Sequence, residues 1–328
     1  MQIMEKKNEK KETEPVLTII FVVYNHEKYV LKALKSIEEQ RIECTYEVIV
    51  GEDHSMDRSG EILRRYQNNA PKNWHFLYRD HNLGMLRNIS DLLYRARGKY
   101  VIVLEGDDYW IYPDKLNSQI AFLEEHAEYS GCAHGVRVID ADGNDRPAGY
   151  IHGKRSGTYG VRDYLHELLP GQTASFLYRN YFREGRLFQY LNNNALYPMD
   201  RFIAFVIASK GKIRCIDQEW SAYRYITDGG SSFSATVDCN SDEYAKSALQ
   251  YHRSIYAYAI TENCGKDCIK VSEKLYYRSF LRDWATGGGR NLRVLFCELK
   301  KMKYPVTTLL WMVGEFFRLI IYERNRRF

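Results

Sequence analysis

The stretch VLTIIFVVYN, residues 16–25, is the clearest indication of the fold class. Its apolar and β-branched residues run almost without a polar break as far as Tyr24 and Asn25, which is typical of a strand buried on both faces of a parallel sheet. In residues 27–40, apolar side chains then recur at the spacing of one helix face. The stretch therefore predicts the first strand and helix of an α/β fold.

The same alternation repeats further along the chain. Strand patterns occur at residues 46–53, 73–80 and 99–108, and helix patterns at residues 57–70 and 83–98. This order predicts a doubly wound, mostly parallel sheet with helices on both faces, whose ligands bind at the carboxyl ends of the strands. The polar clusters VYNH, GEDHS and EGDD all follow predicted strands, so we expect them at one edge of the sheet.

Composition narrows the class of protein. The 328 residues are 45% hydrophobic and 27% charged, which are ordinary globular values. The net charge of +5 forms no basic stripe outside the extreme C-terminus, so a nucleic acid is not an expected partner. Seven cysteines without a secretory signal predict reduced thiols and a cytoplasmic protein, and the Lys/Glu-rich residues 1–14 predict a disordered lead-in.

Two adjacent aspartates, Asp107 and Asp108, end the predicted strand at residues 99–108. Like charges held this close raise each other's pKa unless a cation neutralises them. Mg²⁺ or Mn²⁺ fits, because these ions prefer carboxylate oxygen and take their other ligands from water and phosphates. A solvated Asp-Asp turn is the alternative, and two aspartates alone favour it.

Four segments in order carry a family resemblance: TIIFVVYNHEKYVLKALKSI, YEVIVGEDHSMDRS, HNLGMLRN and ARGKYVIVLEGDDYWIYPDKLNSQIAFLEEH. Over residues 14–235 or so the chain resembles the family 2 inverting glycosyltransferases of the GT-A fold, and its EGDDYW run is similar to the branch that builds bacterial surface polysaccharides. The resemblance implies a GT-A domain at 15–238, with a nucleotide-binding half at 15–110 and an acceptor half at 111–238. It implies a metal-dependent transfer of sugar from a nucleotide sugar, with UDP-sugar the favoured donor, to a saccharide or lipid-linked saccharide.

The resemblance also places residues around the nucleotide. Tyr24 and Asn25 match the family's nucleotide-facing positions, and stacking of Tyr24 on the base is implied. Asp53, with Glu52 beside it, matches an acceptor of hydrogen bonds from the uracil imide. Arg87 lies where the family has a nucleotide-proximal arginine.

By the same resemblance, Asp108 is the ligand of an Mn²⁺ or Mg²⁺ ion that bridges the donor phosphates. By the resemblance, Asp107 contacts the ribose of the nucleotide or assists in binding the metal. Glu105 departs from the family's usual residue at its position, and we assign it no role beyond strand termination.

Inverting transfer requires a general base, and Asp200 matches the family's base in the block YPMDRFIAFVIASKGKIRCI. Asp200 could instead have only a structural role, as the cap of a helix. Asp217 and Glu219 are competing candidates for the base. Thr173 and Ser175 are weaker predicted donor or acceptor contacts.

Residues 171–179 resemble the family's strand that presents small polar residues towards donor and acceptor. Arg224, before the Gly/Ser segment at 227–232, is a further predicted contact.

Residues 239–328 read as a helical accessory region. Within it, residues 305–328 are too interrupted to be a comfortable membrane span, yet they carry apolar bulk flanked by Lys and Arg. Peripheral attachment to the inner face of the cytoplasmic membrane and packing against the catalytic domain or a second subunit of a homo-oligomer both fit.

Two other functions remain open on the sequence. A polyisoprenyl-phosphate glycosyltransferase would use the same fold with a lipid-phosphate acceptor. A catalytically silent nucleotide-sugar-binding assembly subunit would keep the donor residues without a working base.

Overall fold

The computed structural model describes residues 14–146, 156–166, 168–183, 190, 199–226, 242–286 and 292–314. The lead-in at 1–13 and the Gly/Ser segment at 227–232 lie outside the described residues.

The strands are β1 (Leu17–Val23), β2 (Tyr46–Glu52), β3 (Trp74–Tyr78), β4 (Tyr100–Glu105), β5 (Tyr109–Trp110), β6 (Tyr129–Ile139), β7 (Gly157–Tyr159), β8 (Leu177–Arg179) and β9 (Lys212–Arg224). The helices are α1 (Val30–Glu38), α2 (Ser59–Gln67), α3 (Met85–Arg95), α4 (Lys115–Glu125), α5 (Val161–Tyr164), α6 (Met199–Lys210), α7 (Asp242–Thr261), α8 (Lys266–Thr286) and α9 (Leu292–Lys300). Residues 305–314 are also helical.

Within the described residues one nine-stranded sheet has the order β3-β2-β1-β4-β8-β6-β9-β5, with β7 on β9. The strands β3, β2, β1 and β4 are parallel, as the alternating pattern predicts. Beyond β4 the sheet is mixed, because β8 is antiparallel to both β4 and β6. The α/β prediction is confirmed, and the structure adds where the parallel half ends.

The buried strands divide their side chains between two apolar layers. In β1, Ile20 and Val22 belong to the core that α3 and α6 cover, whereas Ile19 and Phe21 belong to the core that α1 and α4 cover. Alternation along a strand explains this division, since neighbouring side chains point to opposite faces of a sheet. Helices therefore cover both faces, and the carboxyl edge is left for the site.

The carboxyl ends of the parallel strands meet at this edge. Val22 lies opposite Glu105 in the register of β1 and β4, and Val23 lies opposite Glu52 in the register of β1 and β2. The end of β9 joins them, because the backbone N–H of Arg224 donates to Asp108 Oδ1 at 2.8 Å. The polar clusters thus share one edge of the sheet.

The continuous strand expected at residues 171–179 is wrong in its first half. Thr173–Ser175 form a 3-10 turn, and only Leu177–Arg179 are extended, as β8. The carbonyl of Gln172 accepts both the backbone N–H of Ser175, at 2.9 Å, and its hydroxyl, at 2.7 Å. A short polar side chain that bonds its local backbone competes with strand pairing.

The C-terminal region is helical, as expected, and packs on α5 and α6. The rings of Tyr258 in α7 and Phe202 in α6 have centroids 5.5 Å apart, and the Tyr251 and Tyr164 hydroxyls lie at 2.5 Å. Among the described residues no helix combines the length and the apolar character that crossing a bilayer needs.

Candidate active site

A cavity of about 250 Å³ opens at the carboxyl edge of β1, β2 and β4. Its walls come from these strand ends, from the start of α3 and from the end of β9. The polar side chains that line it are Tyr24, His26, Asp53, Asn82, Asn88, Glu105, Asp107, Tyr223 and Arg224. Such a cleft, with an aromatic ring and several convergent polar groups, is the form of a small-molecule site.

Asp53 fixes the loop that leads into α3. Its two carboxylate oxygens accept the backbone N–H groups of Leu83, at 2.8 Å, and Gly84, at 3.0 Å. Gly84 has φ +80°, a conformation that favours glycine. Burial raises the pKa of Asp53, and these two hydrogen bonds oppose the rise. The loop thus carries the N-terminus of α3 to the cavity, where its dipole favours an anionic ligand.

Three carboxylates crowd the end of β4. Burial, with the charges of Asp107 and Asp200, raises the pKa of Glu105 to about 8. Burial also raises the pKa of Asp108 well above its usual value, with further contributions from Asp107 and Glu105. So much negative charge favours either a proton or a bound cation in this corner.

The two aspartates face different surroundings. Asp107 lines the cavity, together with Glu105. Asp108 is 2% exposed, does not line the cavity and accepts the backbone N–H of Arg224. The structure therefore does not bring Asp108, the expected metal ligand, to the cavity, because its carboxylate is bound to the backbone at the end of β9.

The carboxylate pair that does face the cavity fits a hard divalent ion. Among the described residues no group of three or more His, Cys, Asp or Glu side chains forms a metal cage. Mg²⁺ does not need one, since it is commonly held by one or two carboxylates and by substrate phosphates, and Mn²⁺ also suits carboxylate ligands. Asp107 and Glu105 are therefore the cavity-facing candidates, and Glu105 has a place in the site that the sequence did not assign to it.

Arg224 fastens the loop that carries Asp107. Its guanidinium donates to the backbone carbonyls of Asp107, at 3.0 Å, Asp140, at 2.7 Å, and Ala141, at 3.0 Å. It also lies over the ring of Tyr29, 4.1 Å from the centroid. Arg224 lines the cavity as expected, but most of its donors are used within the protein.

His26 is a cavity residue that sequence reasoning missed. Its Nε2 lies 3.8 Å from Asp107 Oδ1. A Cβ on Gly106 would stand 2.7 Å from His26 Nδ1, so the His26 ring packs where only glycine leaves room for it. The signal was available, because His26 belongs to the cluster VYNH at the end of the first strand.

Three predicted nucleotide-binding residues do not line the cavity. Asn25 accepts the backbone N–H of Met56 at 2.8 Å, and Glu52 accepts that of Ser55 at 2.7 Å, so both shape the neighbouring turn. Arg87 is exposed on α3, whereas Asn88 beside it is buried and lines the cavity. Tyr24, Asp53 and Asp107 are the three that the structure brings together.

Asp200 lies in a second, smaller cavity of about 20 Å³. It is in the first turn of α6, and its Oδ1 accepts the backbone N–H of Arg201 at 2.7 Å. Burial raises its pKa. The charge of Asp200 helps to raise the pKa of Glu105, so the carboxylates of the two cavities interact.

Of the other predicted acceptor-side residues, one lines the cavity of Asp200 and the others do not. Thr173 lines the cavity of Asp200, whereas Ser175 is fully buried and donates to the Gln172 carbonyl. Asp217 and Glu219, the competing bases, are exposed on β9 and line neither cavity.

The family model of glycosyl transferase family 2 matches residues 18–186, which is just over half of the chain. The chain therefore belongs to this family of glycosyltransferases. The described fold agrees, because it is similar to crystal structures of TarS from Staphylococcus aureus. For TarS residues 1–349 in complex with UDP-GlcNAc the TM-score is 0.58 at 17% identity, over 82% of this chain and 72% of that one.

Sequence relatives match less than half of the chain. An uncharacterized Mycobacterium tuberculosis protein, Rv1520, is 39% identical over 127 residues, which are 39% of this chain and 37% of the relative. The name of TuaG from Bacillus subtilis points to glycosyl transfer in teichuronic acid biosynthesis; it is 29% identical over 44% of this chain and 56% of its own length. The chain thus spans between about a third and somewhat over half of these relatives.

Proposed function

We propose that this protein is a metal-dependent inverting glycosyltransferase that moves a sugar from a UDP-sugar to a saccharide or lipid-linked saccharide of a bacterial surface polysaccharide. The observation that carries the proposal is the cavity in which Tyr24, Asp53 and Asp107 converge at the carboxyl edge of the sheet. The names of TuaG and of the poly(ribitol-phosphate) β-N-acetylglucosaminyltransferase TarS support the acceptor class.

The side chains that line this cavity suit the uracil base of a UDP-sugar. Tyr24 supplies an aromatic face on which a base stacks, and Asp53 retains acceptor capacity for the uracil imide beyond its two backbone bonds. The complex of TarS with UDP-GlcNAc supports a uridine donor.

The diphosphate of the donor belongs at the β4 end of the cavity. Asp107 and Glu105 would hold an Mn²⁺ or Mg²⁺ ion there, and when bound this ion neutralises charge on the departing diphosphate. GalNAc-T7, a structure of similar fold with a TM-score of 0.51 and 13% identity, is a complex with UDP, GalNAc and Mn²⁺. Arg224 keeps Asp107 in place through the Asp107 carbonyl.

Asp200 is the proposed general base. Its carboxylate takes the proton of an acceptor hydroxyl while the oxygen attacks the anomeric carbon from the face opposite the diphosphate. The bond from the anomeric carbon to the phosphate oxygen breaks, and its electron pair leaves with UDP. A base with a raised pKa suits this step, because proton transfer is most efficient when the pKa lies near the working pH.

We place the reaction in the cytoplasm, which keeps thiols reduced; the six cysteines of the described residues are free. A lipid-linked acceptor would bring the enzyme to the inner face of the cytoplasmic membrane.

The proposal is tested with a panel of nucleotide sugars and oligosaccharide or lipid-linked acceptors in Mn²⁺, with products identified by mass spectrometry. We expect transfer from a UDP-sugar, lost in Asp200→Asn and retained in Asp217→Asn, which removes a carboxylate outside both cavities. Binding of a nucleotide sugar without turnover on any acceptor would instead identify a silent assembly subunit. Transfer to a polyisoprenyl phosphate alone would identify the lipid-phosphate enzyme.

A further inference from the structure

The positive charge of the chain is concentrated at its C-terminal end. Residues 292–328 contain eight Lys and Arg residues but three Glu and no Asp, a net charge of +5. The whole chain also has a net charge of +5, so the net charge of residues 1–291 is zero. A local excess of positive charge of this kind attracts an anionic surface.

The helix at 305–314 is held in one orientation by a buried carboxylate. Glu273 of α8 is fully buried and accepts the backbone N–H groups of Lys303, at 2.7 Å, and Tyr304, at 3.0 Å. It also accepts the hydroxyl of Thr308 at 2.5 Å. Because these bonds join the start of the helix and its first turn to α8, they fix which side of the helix faces the protein.

The opposite side is apolar and exposed. Val306 is 70% exposed, Leu309 42%, Leu310 68% and Val313 47%. These four residues, which we call the apolar face, follow the spacing of one side of a helix. Thr308, on the protein side, is 1% exposed. An exposed row of this kind on an anchored helix marks an interaction surface.

Exposed lysines lead into the apolar face. Lys300, Lys301 and Lys303 are all exposed immediately before the helix. Glu298 is the acidic residue within 292–314, and it already pairs with Lys301 at 2.8 Å and accepts the Tyr276 hydroxyl at 2.6 Å. The surface therefore combines apolar side chains with an excess of cations.

We propose that the apolar face docks on an anionic lipid bilayer, with the lysines at the phosphate headgroups. A helix with an apolar side and basic flanks lies in the membrane interface in this way. A second copy of the chain is disfavoured as the occupant, because a two-fold contact pairs the same patch of both copies, and in the described residues this patch has an excess of cations over acidic side chains. The inference rests on these residues and not on the donor or the chemistry proposed above.

The test is co-sedimentation of the full chain with phosphatidylcholine vesicles that contain or lack phosphatidylglycerol. We expect binding to the anionic vesicles alone and weakening by salt. Leu309→Asn with Leu310→Asn should reduce binding at least about tenfold through lost apolar burial. Replacement of Lys300, Lys301 and Lys303 by Gln should reduce it by about fivefold per lysine.

A matched control replaces two exposed apolar residues elsewhere. Leu31 is 58% exposed and Ile260 38%, so Leu31→Asn with Ile260→Asn should leave vesicle binding unchanged. UDP affinity, measured by calorimetry in every variant, separates this test from that of the donor site. Equal binding by the wild type and the Leu309/Leu310 variant would overturn the proposal. A dimer in light scattering that the same variant converts to monomer, without vesicle binding by either, would overturn it in favour of a second copy.

Discussion

At the scale of single residues, the two aspartates of EGDD have separate tasks. Asp107 lines the larger cavity, whereas Asp108 accepts the backbone N–H of Arg224. The sequence could predict a carboxylate corner from the strand that precedes it. It could not predict which carboxylate faces the ligand, because that depends on how β9, distant along the chain, pairs with the turn after β4.

The first prediction compares Asp107→Asn with Asp108→Asn. If Asp107 holds the ion, Asp107→Asn should abolish the Mn²⁺ dependence of UDP binding in a folded protein. Asp108→Asn should keep that dependence, because the amide oxygen still accepts the Arg224 N–H and residue 108 does not line the cavity. Titration calorimetry with and without Mn²⁺ measures both. The reverse pattern would restore Asp108 as the ligand.

The second prediction concerns the pH dependence of transfer. A base acts only when deprotonated, and burial raises the pKa of Asp200. The acidic limb of the kcat profile should therefore lie above the ordinary aspartate range, with activity falling as pH falls through the raised pKa. Asp200→Asn should lower kcat by about two to four orders of magnitude with UDP affinity kept.

A capping role for Asp200 predicts a different outcome. Asn caps a helix nearly as well as Asp, so an Asn variant with full activity would leave Asp200 as a cap alone. The Ala variant would then lose about 1 kcal/mol of stability. Melting temperatures of both variants, measured beside their rates, distinguish the two roles.

At the scale of elements, the parallel half of the sheet was predictable and the mixed half was not. The strands β1 to β4 alternate with helices along the chain, so local apolar patterns are enough to order them. The strand β8 has three residues and lies between β4 and β6, which no local pattern indicates. The outward position of Arg87 likewise depends on the rotation of α3, which its packing against β1 and β2 sets.

The third prediction concerns Glu273, the carboxylate between α8 and the helix at 305–314. Glu273→Ala should lower the free energy of unfolding by about 1–3 kcal/mol, because the Tyr304 N–H and the Thr308 hydroxyl lose their acceptor. The Lys303 N–H keeps only the Tyr256 hydroxyl. Glu273→Gln should cost less, since its amide oxygen still accepts. Urea unfolding gives the loss of stability, and hydrogen exchange should show faster exchange in 305–314.

Asp267→Ala is the control on the same helix. Asp267 is exposed and pairs with Arg162 at 3.0 Å, and a surface ion pair is worth about 0–1 kcal/mol. If the two Ala variants lose equal stability, or if exchange in 305–314 does not change, Glu273 does not fix this helix.

At the scale of the whole molecule, the C-terminal helices α7 and α8 share an apolar cluster with the sheet and with α6. The family resemblance and the helical periodicity divide the chain into a GT-A domain at 15–238 and an accessory region at 239–328. In the described residues, however, buried side chains of α7 and α8 such as Ile255, Tyr258 and Leu275 join the same apolar cluster as Val101 of β4 and Phe205 of α6. Periodicity locates the helices but does not reveal which surface they cover, because an amphipathic stripe is the same whatever lies against it.

The last prediction follows from this shared core. Tyr258 is fully buried, with ring centroids 5.5 Å from Phe202 and 6.2 Å from Phe205, so Tyr258→Ala should lower the free energy of unfolding by about 3–5 kcal/mol. Ile260→Ala, at a position 38% exposed on the same helix, should change it by less than about 0.5 kcal/mol. Calorimetry should show one transition, with equal calorimetric and van't Hoff enthalpies, that moves as a whole in Tyr258→Ala. Two transitions, of which Tyr258→Ala lowers one alone, would mean that the helices fold as a separate domain. One transition would instead mean that the C-terminal helices fold together with α6, the helix that carries Asp200. Because the position of Asp200 would then depend on this packing, Tyr258→Ala should also slow transfer at temperatures where the protein is still folded.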